Sequence, residues 1–497
     1  MISDKHFRAL GLFWMWLLIA GLLHAQVEAP GAEQPDLEFR TWTDVTGQFH
    51  TEAALLRFVD GKVHLKKRDG RVITVSPGQL DIADQLYIRR ELARRRAAQE
   101  SSAGTPSPPG AAGDWPTFRG PNRDGKSPDT GLLKEWPADG PPLLWKVDNI
   151  GKGFSGVAVA GDTVYITGDV GDRLVLFALG MDGAPKWQAN HGSSWTKNHP
   201  GSRATPTIDG GNLYLLSGTG LLGCFDARSG RPKWQRQMAE FGGGVPNWGY
   251  AESVLILGEL AIVTPGGQNC IVALNKKTGQ SVWGSQGFSA GAQYGSCIAV
   301  AHQGVPMIIA GTAEGIVGVD ARNGRGLWSN PFSAHNTANC PTPAFSDGYV
   351  FWANGYGKGG ICLKLDANRG QVVAREAWTT GDMVCHHGGY ILHEGHIYGN
   401  HSNGYACLEL ESGQVKWNER GVGKGSLCFA DGMLYLFGEN GGQAGLATCS
   451  PEGMEMRGTF RVEGEGPSWA HPVVIGGRLY LRYDTNLYCF DVRAPGE

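Results

Sequence analysis

Between residues 145 and 490 one phrase recurs about every 45 residues: a Gly/Asp turn, a short apolar strand, a second strand ending in Asp or Asn, then Gly and a tryptophan. A period in that range marks a solenoid or a propeller, because each unit buries its apolar face only against its neighbours. The clearest copies run from Leu222 through Asp226 and Gly230 to Trp234, and from Ile271 through Asn275 and Gly279 to Trp283. Weaker copies run from Val317 to Trp328 and from Cys407 to Trp417. Trp145, Trp187, Trp234, Trp283 and Trp328 are spaced by 42, 47, 49 and 45 residues. The next gap, 89 residues to Trp417, is two repeats long, and Ala374 is read as holding the lost tryptophan slot.

Eight hairpin arms precede these strands, at residues 162–165, 211–214, 258–261, 304–307, 347–350, 394–398, 431–435 and 477–480. The eighth ends at Asp491 with no tryptophan strand after it, whereas Trp145 precedes the first arm and has no unit of its own. If Leu143–Val147 supplies the outer strand of the last unit, the ring closes and no sheet edge is left unpaired. The expected fold is all-β: an eight-bladed β-propeller preceded by a small SH3-like β-barrel.

The chain of 497 residues is long enough for one large β body and a smaller one, and its net charge of −3 excludes a nucleic-acid-binding face. Residues 11–23 form an apolar run of 13 preceded by Lys5, His6 and Arg8 and followed by Ala25-Gln26. That layout predicts a signal peptide over residues 1–25, hence export to the periplasm or cell envelope, or a membrane anchor if the segment is retained. Of the ten cysteines, Cys224 and Cys489 stand in the strand slot of Ala178, Ala273 and Gly318. Cys362 and Cys407 are placed two residues earlier, where Leu222, Ile271 and Ile316 stand. All four read as small buried hydrophobes, and no Cys-x-x-Cys is present.

Residues 36–96 break the period. Phe58 to Val75 alternates apolar and polar residues around Asp60-Gly61 and Asp69-Gly70, the signal for consecutive hairpins with type I′ turns. A helical tail follows from Leu92 to Gln99, carrying Arg94-Arg95-Arg96 as a solvated run. Residues 101–113, rich in Ser, Pro and Gly, read as an extended linker that leaves the two domains tethered without a need to pack. The propeller is expected over residues 114–492.

Loops entering the inner strands converge on one mouth. The repeat aligns Phe154, Arg203, Trp248, Glu252, Tyr294, Asn339, Cys340, His386, His387, Lys424, Trp469 and His471 there. Flat aromatic rings mixed with a few cations suit a planar or acidic small ligand, and Arg203, Trp248, Tyr294, Asn339, His386, Lys424 and Trp469 are the candidate cofactor-binding residues. The bland reading is an aromatic plug at the narrow end of the ring. Asp382, Cys385, His386, His387, His393, His396 and His401 form a local cluster, but His393 and His396 fall on the far side of the hairpin, so no metal ligand is assigned. No nucleophile elbow is present, so no catalytic residue is assigned.

Arg40 to Asp44, Gly47-Gln48-Phe49, Val59 to Leu65, Leu80 and Asp84 to Tyr87 resemble the SLA1 homology domain 1, a family that binds peptides or partner proteins in eukaryotic adaptors. The tandem phrase, Asp114 to Gly125 and Ser202 to Thr207 resemble the pyrroloquinoline-quinone (PQQ)-type propeller repeat proteins. That superfamily holds quinone-dependent alcohol and sugar dehydrogenases as well as non-catalytic scaffolds of the outer-membrane β-barrel assembly machinery. The dehydrogenase pattern implies PQQ with calcium, many members adding a vicinal cysteine pair. Here no two cysteines are adjacent, and only Glu252, Asn339 and Asp382 stand for the calcium ligands. The reading is an exported binding or scaffold protein that meets a protein or peptide partner through its small domain and propeller face. A quinoprotein dehydrogenase is the alternative.

Overall fold

The computed structural model describes residues 37–102, 113–335 and 337–495. The segment expected to be a signal peptide lies outside them, as does most of the 101–113 linker. Among the described residues, no helix is long and apolar enough to cross a membrane.

The small domain is an antiparallel meander of four strands, β1 (Phe39–Thr43), β2 (His50–Val59), β3 (Lys62–Lys67) and β4 (Val72–Val75), followed by helix α1 (Ile82–Ser102). Trp42, Leu55, Val63, Leu65, Leu80 and Ile88 form its core. Asp60 and Gly61 both take positive φ, 52° and 70°, as a type I′ turn requires. At the second hairpin only Gly70 does, at 84°, and Lys67 N–H bonds to Arg71 O across a longer loop. That turn is therefore not type I′.

Eight four-stranded antiparallel sheets follow, spanning residues 158–193, 207–237, 255–284, 298–330, 344–380, 390–419, 425–461 and 473–491. The first seven are each built from consecutive strands. The eighth has three strands of its own and takes β5 (Leu143–Val147) as its fourth, with Cys489 opposite Trp145. The closure expected from the spare tryptophan is thus formed. Separate apolar clusters join the first sheet to the second, the second to the third, and so on to the seventh. The largest cluster joins the seventh, the eighth and the first, bringing Cys428, Leu479 and Val164 together.

The Trp and Gly of the repeat meet between sheets. Gly183 in the first sheet has φ 82°, and a Cβ there would stand 2.9 Å from the Trp145 indole, whose Nε1 donates to Met181 O at 2.9 Å. Trp187, Trp234 and Trp283 lie in the same way against Gly230, Gly279 and Gly324 of the following sheet. The slot in the fifth sheet belongs to Trp378, not Ala374. Trp378 faces Cys362 as Trp234 faces Cys224, and it donates to Leu410 O of the sixth sheet. A longer hairpin, Gly359–Asn368 with Gln371–Thr380, displaces the tryptophan along the sequence and hid it from the spacing. Register likewise puts Cys362 and Cys407 opposite the tryptophan, in the same slot as Cys224 and Cys489 rather than two residues earlier. In the seventh sheet the slot holds Gly458, and Trp136 from the N-terminal segment fills the space, within 2.6 Å of where a Cβ would be.

That segment also threads the ring. Trp115 bridges Val159 of the first sheet, Pro116 O accepts from Ile208 N of the second, and Lys126 bridges Phe429 of the seventh. Between them, Arg123 donates to Ser253 O and Cys297 O in the loops entering the third and fourth sheets, and Arg119 to Tyr390 O of the sixth. Both guanidinia are buried, and both residues take positive φ, 63° and 58° for Arg119 and Arg123. The run from Asp114 to Gly125 is a plug whose arginines satisfy carbonyls at the entries of the inner strands that would otherwise lack donors.

The small domain is not merely tethered. Helix α1 starts at Ile82, ten residues before the expected tail, and is apolar on two sides. Ile88 and Leu92 face the small sheet, while Ile82 and Leu86 pack with Leu255, Leu257 and Ala299 of the third and fourth sheets. Asp81 pairs with Arg322 at 2.9 Å, and Arg89 reaches Ile256 O. Replacing Leu86 with Asp places a charge in this contact, so the small domain is expected to detach while each part stays folded. Small-angle scattering checks this through a larger radius of gyration with unchanged circular dichroism.

Candidate functional site

The funnel lies at the end of the inner strands opposite the small domain. In the third sheet, for example, Trp248–Ser253 enters strand Leu255–Leu257 from the funnel side, and Gly258 at its other end abuts Gln85 of α1. The cavity measures about 190 Å³. Phe118 of the plug lies in its lining, edge-on to His471 with ring centroids 5.0 Å apart.

Five of the seven sequence-predicted residues line it: Arg203, Trp248, Tyr294, His386 and Trp469. The other two stand behind. Asn339 is buried and ties its own loop to the preceding one, donating to Gln293 Oε1 and accepting from Ala334 N. Lys424 supports the wall: its Nζ lies 3.0 Å from His386 Nδ1 and 2.9 Å from Glu439 Oε2. Arg203 gives its donors to Trp248 O, Gly201 O, Asn198 O and His199 O. With four bonds to backbone carbonyls it holds two loops together, and its charge reaches the cavity as a field more than as a free hydrogen-bonding fork. Burial pushes its pKa down to about 10.

Three residues that sequence reading did not single out contribute to the lining: Phe118, His199 and Tyr356. Only the Asp114–Gly125 run could have signalled the first, had it been read as a plug. Tyr356 is 55% exposed at the rim and its hydroxyl lies 3.0 Å from His386 Nε2. Beside His386, with ring centroids 3.7 Å apart, the His387 ring stacks on Trp469, with centroids 4.2 Å apart and planes 23° apart, and Phe154 and His199 each sit 4.8 Å from the same indole.

His386, His387 and His471 are held neutral. Burial, then the neighbouring His387 and Lys424, push His386 down to about 3, and burial with the charge of Arg119 does the same to His471. Burial opposes the ionisation of Glu439, but His387 and Lys424 beside it outweigh that and hold it at about 2. The result is an apolar, aromatic cavity with three neutral imidazoles at His386, His387 and His471, one thiol at Cys340 and a Lys–Glu pair behind its wall.

Oxygen donors for calcium are not assembled there. None of Glu252, Asn339 and Asp382 lines the cavity. Glu252 is fully buried, with Oε1 accepting from Thr264 N at 2.6 Å and Oε2 unpartnered. A hard cation wants six or more oxygens, and imidazole and thiol donors do not supply them. PQQ with calcium therefore does not fit this funnel.

Burial pushes Glu252 up from 4.5 to about 7. The folded protein keeps this proton where the unfolded chain has lost it, so Glu252 makes stability fall as pH rises from about 4.5 through about 7. The total is about 3 kcal/mol. Chemical denaturation of the parent and Glu252→Gln across that range should show this decline only in the parent.

Residues 175–419 match the family described as outer membrane protein assembly factor BamB, and residues 31–96 match SLA1 homology domain 1. The chain thus carries PQQ-type repeats over residues 175–419 and an SLA1 homology domain 1 over residues 31–96. The small domain is similar to the actin cytoskeleton-regulatory complex protein SLA1 of Yarrowia lipolytica, 43% identical over 61 residues that make 12% of this chain and 5% of the relative. A stretch of 93 residues, 18% of this chain, is 32% identical to the outer membrane protein assembly factor BamB of Burkholderia pseudomallei and spans 24% of it. The chain thus covers a small part of these relatives' length. The crystal structure of BamB from Moraxella catarrhalis superposes with a TM-score of 0.53 at 16% identity, covering 70% of this chain and 99% of that one. That likeness shows a shared fold alone.

Proposed function

We propose that this chain is an exported cell-envelope scaffold that binds proteins or ligands on two separate faces of one rigid body. In this reading the eight sheets are the blades of an eight-bladed propeller closed by β5, and β1–β4 with α1 form a small SH3-like barrel. The observation that carries it is the docking of α1 on the face away from the funnel, which leaves both surfaces free. On the small domain Phe49 is 71% exposed and Val45 lies beside it in the same loop, an apolar surface suited to a peptide or protein partner. At the other end the aromatic and imidazole lining of the funnel suits a planar or acidic small molecule or an inserted side chain. Arg203, Trp248, Tyr294, His386 and Trp469 would contact that ligand, with Asn339 and Lys424 as supports. The names of the relatives, an assembly factor and a regulatory-complex protein, agree with binding rather than turnover.

Photo-crosslinking tests it. A photoreactive residue at Phe49 or at Tyr356 in cells should give discrete adducts of the envelope fraction, with different partners at the two positions. Adducts at neither position, or a protein confined to the cytoplasm, would sink the proposal.

A further inference from the structure

Three potential metal ligands converge in the funnel from two loops. Sγ of Cys340, in the loop entering the fifth sheet, and one ring nitrogen each of His386 and His387, in the loop entering the sixth, all lie within 4.8 Å of one another. Thiolate and imidazole ligands about 2.0–2.3 Å from zinc stand roughly 3.3–3.8 Å apart in a tetrahedron, so a movement of about 1 Å would close the set. We propose that Cys340, His386 and His387 bind a borderline or soft transition-metal ion, zinc or copper(I), whose remaining position opens into the funnel.

The surroundings fit that ion class. All three residues line the cavity, so an ion reaches them from solvent and a fourth ligand can come from a bound molecule. The lining holds hydroxyls but no carboxylate, which disfavours magnesium and calcium, whereas thiolate and imidazole are the donors that zinc and copper(I) prefer. Nδ1 of His387 is buried without a hydrogen-bond partner, its nearest acidic oxygen being Glu439 Oε2 at 3.9 Å. A carboxylate behind a ligating histidine is the usual outer partner of a metal site. Lys424 opposes the ion electrostatically, being 3.0 Å from His386 Nδ1, but its charge is matched by Glu439 at 2.9 Å. Binding requires His386 to give up one of its two bonds, to Tyr356 or to Lys424, and Cys340 to lose its proton to solvent. No redox step is involved.

Cobalt(II) is the probe, because a cobalt–thiolate bond gives a near-ultraviolet charge-transfer band and tetrahedral cobalt gives strong visible bands. Full-length, untagged protein stripped with a chelator should take up one cobalt per chain with both features, and zinc should bleach them. Cys340→Ser should abolish the charge-transfer band. His387→Ala should abolish the tetrahedral bands, and Glu439→Gln should weaken cobalt affinity by about 10- to 100-fold. Circular dichroism and melting of each variant separate ligand loss from misfolding. Should Cys340→Ser misfold, alkylation of Cys340 in the parent protein, read by mass spectrometry, takes its place, and zinc should block that alkylation. Cobalt bound without a thiolate band, a band that survives in folded Cys340→Ser, or alkylation indifferent to zinc would overturn the site. A funnel that binds no metal but still crosslinks a partner at Tyr356 would overturn this inference and leave the scaffold proposal standing.

Discussion

Replacing Leu143–Val147 by a flexible Gly/Ser stretch of the same length is expected to abolish cooperative folding of the large domain. The substitution removes the fourth strand of the eighth sheet and takes Trp145 out of its seat on Gly183. Truncating a large packed aromatic costs about 3–5 kcal/mol, and each ladder hydrogen bond adds about 1 kcal/mol. The sum approaches the whole stability of a typical domain. The vacated edge of Asn486–Asp491 would also be exposed for pairing with other chains. Thermal melting and size-exclusion chromatography should show aggregates or non-cooperative unfolding. A soluble monomer with the parental melting curve would refute the closure.

Exchanging Arg119 and Arg123 together for methionine is expected to cost about 4 kcal/mol. Three carbonyls at the entries of the inner strands, Tyr390 O, Ser253 O and Cys297 O, lose their donors, at about 1–3 kcal/mol each. Against that, two buried guanidinia, neither ion-paired among the described residues, no longer need desolvation, and methionine recovers some packing. Orphaned carbonyls on a rigid axis cannot relax toward water, so their loss dominates. The same change should loosen Phe118 in the funnel lining. Urea denaturation measures the first effect, and quenching of the funnel tryptophans by acrylamide the second. A variant as stable as the parent would mean that the plug is dispensable.

How much of this was legible in the sequence depends on the range of the interaction. The period, the eight arms and the spare strand at Trp145 could be read because the turn chemistry and the Trp–Gly contact recur at a fixed spacing. Trp378 escaped because the fifth hairpin is longer, and spacing was the only guide to it. The seventh sheet takes Trp136 from more than three hundred residues earlier, and no local pattern announces such a contact. Arg119 and Arg123 look like surface residues in a Gly-rich turn, and only the ring around them makes them structural. The docking face of α1 was missed because Ile82 and Leu86 precede the part of the helix that sequence reading identified. At the funnel the repeat aligned the loops well enough to find five lining residues. It could not say that Arg203 spends its donors on backbone, or that Cys340 from one loop meets His386 and His387 from the next.

On the proposed function, this propeller binds and organises partners rather than carrying out quinone chemistry. Incubating the full-length protein with PQQ and calcium, dialysing it, and recording its absorption spectrum and dye-linked oxidation of alcohols and sugars tests that directly. The account predicts no retained chromophore and no dye reduction above that of the buffer. One quinone retained per chain, with substrate-dependent dye reduction, would contradict it.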